Sequence, residues 1–481
     1  MKLASILLLP AFALAVNLPV HREVLDNGLT VLLHPNAQAP TVSCRLFYVT
    51  GSVHEVPGSS GLAHMLEHEL FKGTKKVGVT DSVLDAKFLQ TEDSLQALIR
   101  SEALKDDTAK VRTFTAEHDS VLAEHRKLFK KEELWGAYQA AGGTGLNAFT
   151  TDLMTAYIVT LPKDKIELFF WLEADRMQNA VLREFYSERN VVREERRMRY
   201  EDRPTGRFYE TLNTMIYEAF PYRVPTIGWP SDIEHLTREQ AAEHYERYYK
   251  PRNAILVLAG DLDTAKTMEQ IKRYFGEIPA GEAFPAITVR DPEPVGEKRL
   301  IAHREDAPNL MTLTFLTPEI GDPKIFALDI LEGVLNGKSG RLYKRLVEQE
   351  KLAISAGAAN SPNKYVSEFN IVVRLRADAD PAKVEKIVWE ELDKLKTEPI
   401  GERDFKKVKN NAYATMVRSF RDMENVATQL AWYEMFGDYK ILLNWPESLD
   451  AVTAEQAQTA AKETFVKSKS VFGLLLGGAA E

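Results

Sequence analysis

The sequence predicts a mixed α and β protein built from two diverged copies of one structural unit. Short β-branched or aromatic segments alternate with longer stretches of helical periodicity, one helix–turn–strand pattern occurs twice, and a proline-rich segment lies between the two occurrences. The chain has 481 residues, whereas a single hydrophobic core stops growing at roughly 250 to 300 residues. Both the pattern and the length therefore favour two domains.

The chain begins with a segment typical of a secretory signal peptide. In MKLASILLLPAFALA, Lys2 precedes an apolar run, and Ala13 and Ala15 form a small-residue cleavage pattern. We predict that residues 1–15 are removed and that the mature protein is periplasmic, with secretion as the alternative. An N-terminal membrane anchor is disfavoured because a span needs about 20 apolar residues, and no other segment predicts a membrane span.

The repeated pattern is visible as two aligned segments. LTREQAAEHYERYYKPRNAILVLAG (236–260) and VTAEQAQTAAKETFVKSKSVFGLLLG (452–477) share a Thr-x-Glu-Gln-Ala start and a closing apolar strand. The segment HMLEH (64–68) likewise has a counterpart in DILEG (329–333). We infer two homologous domains, of which the second has lost the histidines of the first.

A linker separates the two predicted domains. Residues 276–299 contain four prolines and no sustained apolar period, which indicates an extended segment. The predicted domains are therefore 16–275 and 300–481. Within the first, residues 82–135 are charged and helix-favouring, which predicts an inserted helical hairpin, interpreted as a solvated extension without chemistry.

Composition excludes several classes of function. The net charge is −9, the wrong sign for a protein that binds nucleic acid through phosphate contacts. Cys44 is the only cysteine, so neither an intramolecular disulfide nor a cysteine-rich zinc site can form. Any metal site must use histidines and carboxylates.

One histidine pair has the spacing of a metal site. His64 and His68 differ by about 40° around a helix, so both imidazoles lie on one face. Glu67 lies between them in sequence, where it could hold a water molecule without itself binding the metal. Two solvated histidines on a surface helix are the alternative interpretation.

A downstream helix offers the third ligand that a catalytic zinc ion needs. In FYSERNVVREERRMRYE, Glu188 and Glu195 are spaced i and i+7 within a predicted apolar stripe of Phe185, Val191, Val192 and Met198. Because a buried unpaired carboxylate is costly, each needs a metal, a proton or a cation as its partner. Buried arginines would be the alternative partners, and the neighbouring Glu194 is predicted to face solvent.

These residues resemble a known family. His-x-x-Glu-His is the inverted zinc motif, and Gly51-Ser52, Glu55, GLAHMLEHELFKGT, NAFTTDLMTAY, LEADRM and ERNVVREERRMR closely resemble the pitrilysin family of zinc metallopeptidases. The resemblance is strongest to two-domain chains such as mitochondrial processing peptidase and covers nearly the whole mature chain. It implies an α+β fold of two homologous domains, each a sheet covered by helices on one face, which enclose a cavity.

The resemblance also implies roles for individual residues. One zinc ion per chain would be bound by His64, His68 and Glu195. Glu67 would be the general base, and Glu188 the carboxylate behind the ligands. The segment Asn147, Ala148 and Phe149 resembles the strand that binds a peptide substrate by main-chain hydrogen bonds, although from its glycine-rich start alone a plain loop is the simpler interpretation. The implied function is an exported zinc endopeptidase acting on unfolded peptides; a catalytically silent assembly or scaffold subunit is the alternative.

One part of the family pattern is missing. Active relatives typically supply an Arg and a Tyr, seven residues apart, from the second domain to the substrate carbonyl and the developing oxyanion. In RLYKRLVEQEKLAISAG the matching positions are Val347 and Ile354, neither of which can donate a hydrogen bond. We predict that a homologous partner chain supplies the pair in a heterodimer, with Arg341, Tyr343 or Arg345 as the alternative source.

Overall fold

The computed structural model describes residues 18–478, so the predicted signal peptide lies outside the described residues. The strands are β1 (His21–Val24), β2 (Thr30–Pro35), β3 (Thr41–Tyr48), β4 (Thr144–Thr150), β5 (Thr155–Pro162), β6 (Ala254–Gly260), β7 (Lys298–His303), β8 (Leu310–Thr317), β9 (Ala353–Ser361), β10 (Ser367–Leu375) and β11 (Ser470–Leu476). None of the described helices is both long and apolar enough to cross a membrane.

Sixteen α-helices accompany these strands over residues 18–478. Those that precede β7 are α1 (Leu62–Glu69), α2 (Ser82–Ala103), α3 (Thr108–His125), α4 (Glu133–Ala140), α5 (Ile166–Asn179), α6 (Phe185–Arg196), α7 (Gly206–Ile216), α8 (Pro230–His235), α9 (Arg238–Tyr248) and α10 (Thr264–Phe275). Those that follow β8 are α11 (Lys324–Leu335), α12 (Pro381–Thr397), α13 (Glu402–Ser419), α14 (Met423–Phe436), α15 (Lys440–Ala451) and α16 (Ala454–Thr464).

The strands form two sheets with one topology. The first sheet has the order β1-β2-β6-β3-β5-β4 and the second β7-β11-β8-β10-β9. Without β1 the two orders match strand for strand, and in each sheet a single parallel pair, β2 with β6 or β7 with β11, accompanies antiparallel neighbours. This confirms the predicted α+β fold of two related units.

Both faces of the first sheet are covered, which explains why β3 is buried along most of its length. Successive side chains of a strand point to opposite faces. Leu46 therefore packs with residues of α1 and α5, whereas Phe47 joins a core that also contains Leu430 of α14. The sequence predicted helices on one face only.

The second face of each sheet is covered by a helix from the other half. α14 packs on β6, β3 and β2, while α7 packs on β11 and β7. Polar contacts accompany this exchange: Arg45, buried in β3, lies 3.4 Å from Glu424 at the start of α14, and Arg22 pairs with Glu434 at 2.7 Å. The two halves thus share a hydrophobic core.

A helical hairpin of α2 and α3 lies within residues 82–135. His125 is completely buried at its base, where its two ring nitrogens contact Glu92 at 2.7 Å and Asp85 at 2.8 Å. Arg183 donates to the same Asp85 carboxylate at 2.9 Å. This ionic cluster fixes the hairpin to the rest of the first half.

The chain between the two sheets is extended. No helix or strand lies between Phe275, at the end of α10, and Lys298, at the start of β7. Phe284 stacks on Tyr248, with ring centroids 4.9 Å apart, and the Asp291 carboxylate accepts the backbone N–H of Ala219 at 2.6 Å. These contacts hold the segment against the first half.

Candidate metal centre

The histidine pair lies on α1, whose start is fixed from outside the helix. Gly61, just before the helix, has a φ of +93°, and a Cβ there would lie 2.6 Å from the carbonyl oxygen of Ile227. Only glycine suits that conformation at so close an approach. The Glu55 carboxylate accepts the N–H groups of Gly61 and Ala63, both at 2.8 Å, and so caps the helix.

The helix turns its two imidazoles to the same side. Met65 and Leu66 are fully buried in the core of the first half, whereas the His64 and His68 rings face each other with centroids 4.8 Å apart. Residues spaced by four lie one above the other on a helix. Packing of the apolar face therefore determines where the imidazoles point.

α6 brings the predicted third carboxylate to this pair. Oε2 of Glu195 lies 3.6 Å from Nε2 of His64 and 3.4 Å from Nε2 of His68. The three possible ligand atoms all lie within 4.8 Å of one another, and among residues 18–478 these three form the one group of this kind. Oε2 is buried and has no hydrogen-bond partner among the residues that the structure describes.

These distances suit a zinc ion. In a tetrahedral site with bonds of about 2.0–2.1 Å, ligand atoms lie about 3.3–3.4 Å apart. Oε2 of Glu195 has nearly that spacing from both imidazole nitrogens. Histidine nitrogen and carboxylate oxygen are also ordinary zinc ligands. The residues present therefore fit the metal.

The helical phase on α6 agrees with the expectation for Glu195, but the predicted apolar stripe is partly wrong. Phe185 and Val192 are buried, whereas Val191 and Met198 are 52% and 57% exposed. Glu194 is exposed and pairs with Arg197 at 3.0 Å. Glu195 therefore faces the histidines although only part of the predicted stripe is buried.

Glu188 lies behind His68. Its Oε1 is 2.8 Å from Nδ1 of His68, and its Oε2 is 2.6 Å from Nζ of Lys72. A carboxylate on Nδ1 fixes the tautomer and ring orientation that present Nε2 to a metal. Glu195 pairs through Oε1 with the exposed Arg199 at 2.5 Å. Among the described residues, no buried arginine pairs with either glutamate.

The two imidazoles differ in their protonation. Burial lowers the pKa of His64 to about 4, assisted by the charge of His68. Burial also disfavours the charged form of His68, but the hydrogen bond to Glu188 and the charges of the Glu188 and Glu195 carboxylates outweigh it and raise its pKa to about 9. Since metal ligands must be deprotonated, a metal ion and a proton compete for His68.

Glu67 faces the same space from α1. The Thr150 hydroxyl donates to its Oε2 at 2.6 Å. Burial raises the pKa of Glu67 above the ordinary range of a carboxyl, although the Thr150 hydrogen bond opposes this. A carboxyl with a raised pKa suits proton transfer near neutral pH.

The predicted substrate strand is the edge strand β4. Within the described part of the chain, no strand pairs with its outer edge. Ala148 is buried toward α1 and Phe149 packs against Phe47 with ring centroids 6.1 Å apart. Asn147 and Ala148 line a cavity together with Glu67 and His68, whereas Phe149 lies on the face toward α14.

That cavity has a volume of about 670 Å³ and a wall that the sequence did not predict. Phe129, Lys130 and Trp135, at the base of the inserted segment, line it. Trp135 stacks on Phe71 with ring centroids 5.6 Å apart. The interpretation of 82–135 as a mere solvated extension therefore does not describe its base.

The proposed metal ligands can be tested by substitution. His64→Ala, His68→Ala and Glu195→Ala should each lose zinc, because three side chains are the usual minimum for a catalytic zinc site. Glu194→Ala is the matched control on α6 and should keep it, since this side chain is exposed. Metal analysis of the purified variants decides; loss of zinc from Glu194→Ala alone would contradict the assignment of Glu195.

Comparisons with known proteins agree along most of the chain. Residues 235–412 match the family model described as peptidase M16 inactive domain, and residues 30–88 match insulinase (peptidase family M16). Zinc protease PqqE of Helicobacter pylori is 26% identical over 463 residues, covering 94% of this chain and 92% of that protein. The uncharacterized zinc protease YmxG of Bacillus subtilis is 22% identical, covering 93% and 96%.

Solved structures show the same architecture. A protease from Helicobacter pylori matches with a TM-score of 0.80 at 25% identity, covering 95% of this chain and 99% of that chain. The periplasmic protease PqqL from Escherichia coli matches with a TM-score of 0.72 at 16% identity, covering 95% of this chain and 47% of that chain. The PqqL match shows the fold alone.

Two related α+β units and a His-x-x-Glu-His helix facing a downstream glutamate define a protein of the inverted zinc-motif class. The matches described above identify the family within this class. The chain belongs to the M16, or pitrilysin, family of zinc proteases.

Proposed function

We propose that this chain is an exported zinc-dependent endopeptidase that hydrolyses unfolded peptides, with one zinc ion per chain. The observation that carries the proposal is the convergence of His64, His68 and Glu195 next to a cavity. Glu67 and His68 line this cavity together with residues of the edge strand β4. A zinc ion bound there would lower the pKa of water toward about 7 and polarise a peptide carbonyl.

In this proposal Glu67 moves the protons of the reaction. Its Oε2 is held by Thr150, while Oε1 accepts no hydrogen bond from the described residues and is the atom available to take a proton from the attacking water. The same carboxyl then returns the proton to the leaving amine. Burial, which raises its pKa, favours both steps near neutral pH.

The substrate peptide would bind by adding a strand to β4. The outer N–H and C=O groups of an edge strand pair with any extended chain, which gives affinity without dependence on sequence. Only an unfolded segment can present its backbone in this way. Asn147 and Ala148 would place the scissile bond beside Glu67, since all three line one cavity.

Metal removal tests this proposal. The purified full chain should cleave an internally quenched unfolded peptide, lose that activity with a chelator, and regain it with added zinc. A protein that binds zinc but cleaves no such peptide, alone or with homologous chains, would instead support the alternative of an assembly or scaffold subunit. Folded protein with no zinc and metal-independent cleavage would contradict the proposed site.

We also propose that the active form is a heterodimer with a homologous chain that supplies an Arg and a Tyr. In the second half, Val347 packs against the hydrophobic core and Ile354 is 55% exposed on β9. Neither side chain can donate a hydrogen bond to an oxyanion. This absence is also the specific observation that favours the silent-subunit alternative.

For localisation we propose the periplasm. The signal-peptide pattern in residues 1–15 supports export, and the structurally similar PqqL is described as periplasmic. N-terminal sequencing of the native protein should find a mature start at or near Val16. A cytosolic pool that keeps Met1 would contradict export.

A further inference from the structure

The second half contains a cavity at the position where the first half has its candidate metal centre. α11 follows β8 as α1 follows β3. Asp329, Glu332 and Gly333 lie on one face of α11, and Asn336 directly follows the helix. All four line a cavity of about 1530 Å³ between α11, α13, α14 and α15. The cavity therefore opens on the helix face that carries His64, Glu67 and His68 in the first half.

Strand register supports this correspondence. Thr150 pairs with Thr155, which pairs with Tyr48, which pairs with Ala254, the first residue of β6. In the second sheet the same path leads from Asn360 through Phe369 and Phe315 to Ser470, the first residue of β11. Asn360 thus takes the place of Thr150, and its N–H donates to Glu332 at 3.1 Å as Thr150 donates to Glu67.

This cavity is not a second metal centre. The two histidine positions hold Asp329 and Gly333, and a Cβ on Gly333 would lie 2.4 Å from a methyl group of Val408. No larger side chain fits there unless Val408 moves. What remains at the counterpart site is a pair of carboxyls.

The two carboxyls have no cation as a partner. The Asn360 amide donates to Asp329 at 2.8 Å, and the Trp445 indole also favours its charged form. Glu332 receives the Asn360 backbone and the Asn336 amide. Within residues 18–478, no lysine, arginine or histidine forms an ion pair with either carboxyl. Burial accordingly raises the pKa of Asp329 to about 7 and raises that of Glu332.

Aromatic rings surround the carboxyls. Trp445 packs against Phe326 at 4.8 Å and Tyr433 at 5.9 Å between ring centroids, and Trp432 and Phe436 of α14 line the same cavity. The lysines at the cavity do not neutralise the carboxyls: Lys409 donates to the backbone of Asp450 and Val452, and Lys406 is exposed. Aromatic faces and desolvated carboxylates both attract cations that carry an apolar stem.

We propose that this cavity binds an organic cation, an ammonium or guanidinium group on an alkyl stem, between Asp329, Glu332 and Trp445. The cation could be the side chain of a basic residue in a peptide or a free polyamine, and both present the same chemistry. A small metal ion fits less well, because the walls are aromatic and Asn360 already bonds directly to Asp329. Binding here does not require catalysis at the other site.

Calorimetric titration of the full chain tests the proposal without any turnover. The probes are an end-blocked tripeptide with a central lysine, its norleucine analogue and spermidine. The lysyl peptide, spermidine or both should bind, and the norleucine analogue should bind at least about tenfold more weakly, since it lacks the charge. Binding of the lysyl peptide alone identifies a peptide source, and binding of spermidine alone a free amine.

Variants show where the cation binds. Asp329→Asn and Glu332→Gln should each weaken binding by about tenfold or more. The control is Glu447→Gln, at an exposed position on the same cavity. It should change the affinity less than threefold, which corresponds to about 0.6 kcal/mol at most. Unchanged zinc content and melting temperature identify folded variants. If Asp329→Asn does not fold, Glu332→Gln alone tests the role of the carboxyls. The proposal would be overturned if neither cation bound at millimolar concentration, or if the norleucine analogue bound as well as the lysyl peptide. Unaltered binding by both Asp329→Asn and Glu332→Gln would also overturn it.

Discussion

Glu67→Gln is expected to lower the turnover of a peptide by about 10²- to 10⁴-fold, the range that a positioned general base contributes. The amide cannot accept the proton of the attacking water, yet it keeps the size of the side chain and can still accept the Thr150 hydrogen bond. The three proposed metal ligands remain in place. Steady-state cleavage of a quenched peptide, with metal analysis of the same sample, measures both effects.

The split between turnover and metal content distinguishes a base from a ligand. Zinc should stay bound in Glu67→Gln, and the loss should fall on kcat, because the missing interaction acts in the transition state. Glu194→Gln makes the same chemical change on an exposed face of α6 and should leave both quantities unaltered. If Glu67→Gln stayed within tenfold of the wild type, another group would have to be the base.

Much of the candidate metal centre could be predicted because its signals are local in sequence. The spacing of His64 and His68 fixes their relative position on any helix, and the family pattern points to Glu195. The apolar stripe on α6 was a weaker guide, since Val191 and Met198 are exposed. Periodicity predicts which residues share a face, but not how wide the buried part of that face is.

The parts that the sequence did not predict depend on contacts between distant segments. The local sequence of an apolar helix does not indicate whether it covers its own sheet or the sheet of the other half. The packing of α7 and α14 on the opposite sheets could therefore not be predicted. The same holds for Thr150, whose hydroxyl reaches Glu67 only because β4 is the edge strand beside α1. His125 is a further case, because its partners Asp85 and Glu92 lie on the other helix of the hairpin.

A homologous chain that carries the missing Arg and Tyr should strongly stimulate peptide cleavage by this protein. Removal of one oxyanion donor typically costs about 10²- to 10³-fold in rate, so a site without both should be feeble alone. The alternative is that Arg341, Tyr343 or Arg345 of this chain supplies the donor. Arg345 is the weakest of these candidates, because it is already paired with Glu350 at 3.1 Å. Arg341 and Tyr343 remain to be compared by experiment.

Reconstitution separates these sources of the missing donors. The purified chain is assayed alone, with a homologue that carries the Arg and Tyr, and with the same homologue after Arg→Leu and Tyr→Phe substitution, which should stimulate little. Arg341→Leu and Tyr343→Phe in this chain should leave the stimulated rate unaltered, since their hydrogen bonds are not needed when a partner supplies the donors. The heterodimer would be contradicted if the pure chain were fully active and no partner increased its rate. A fall of about 10²-fold in Arg341→Leu or Tyr343→Phe would then show that the chain supplies its own donor.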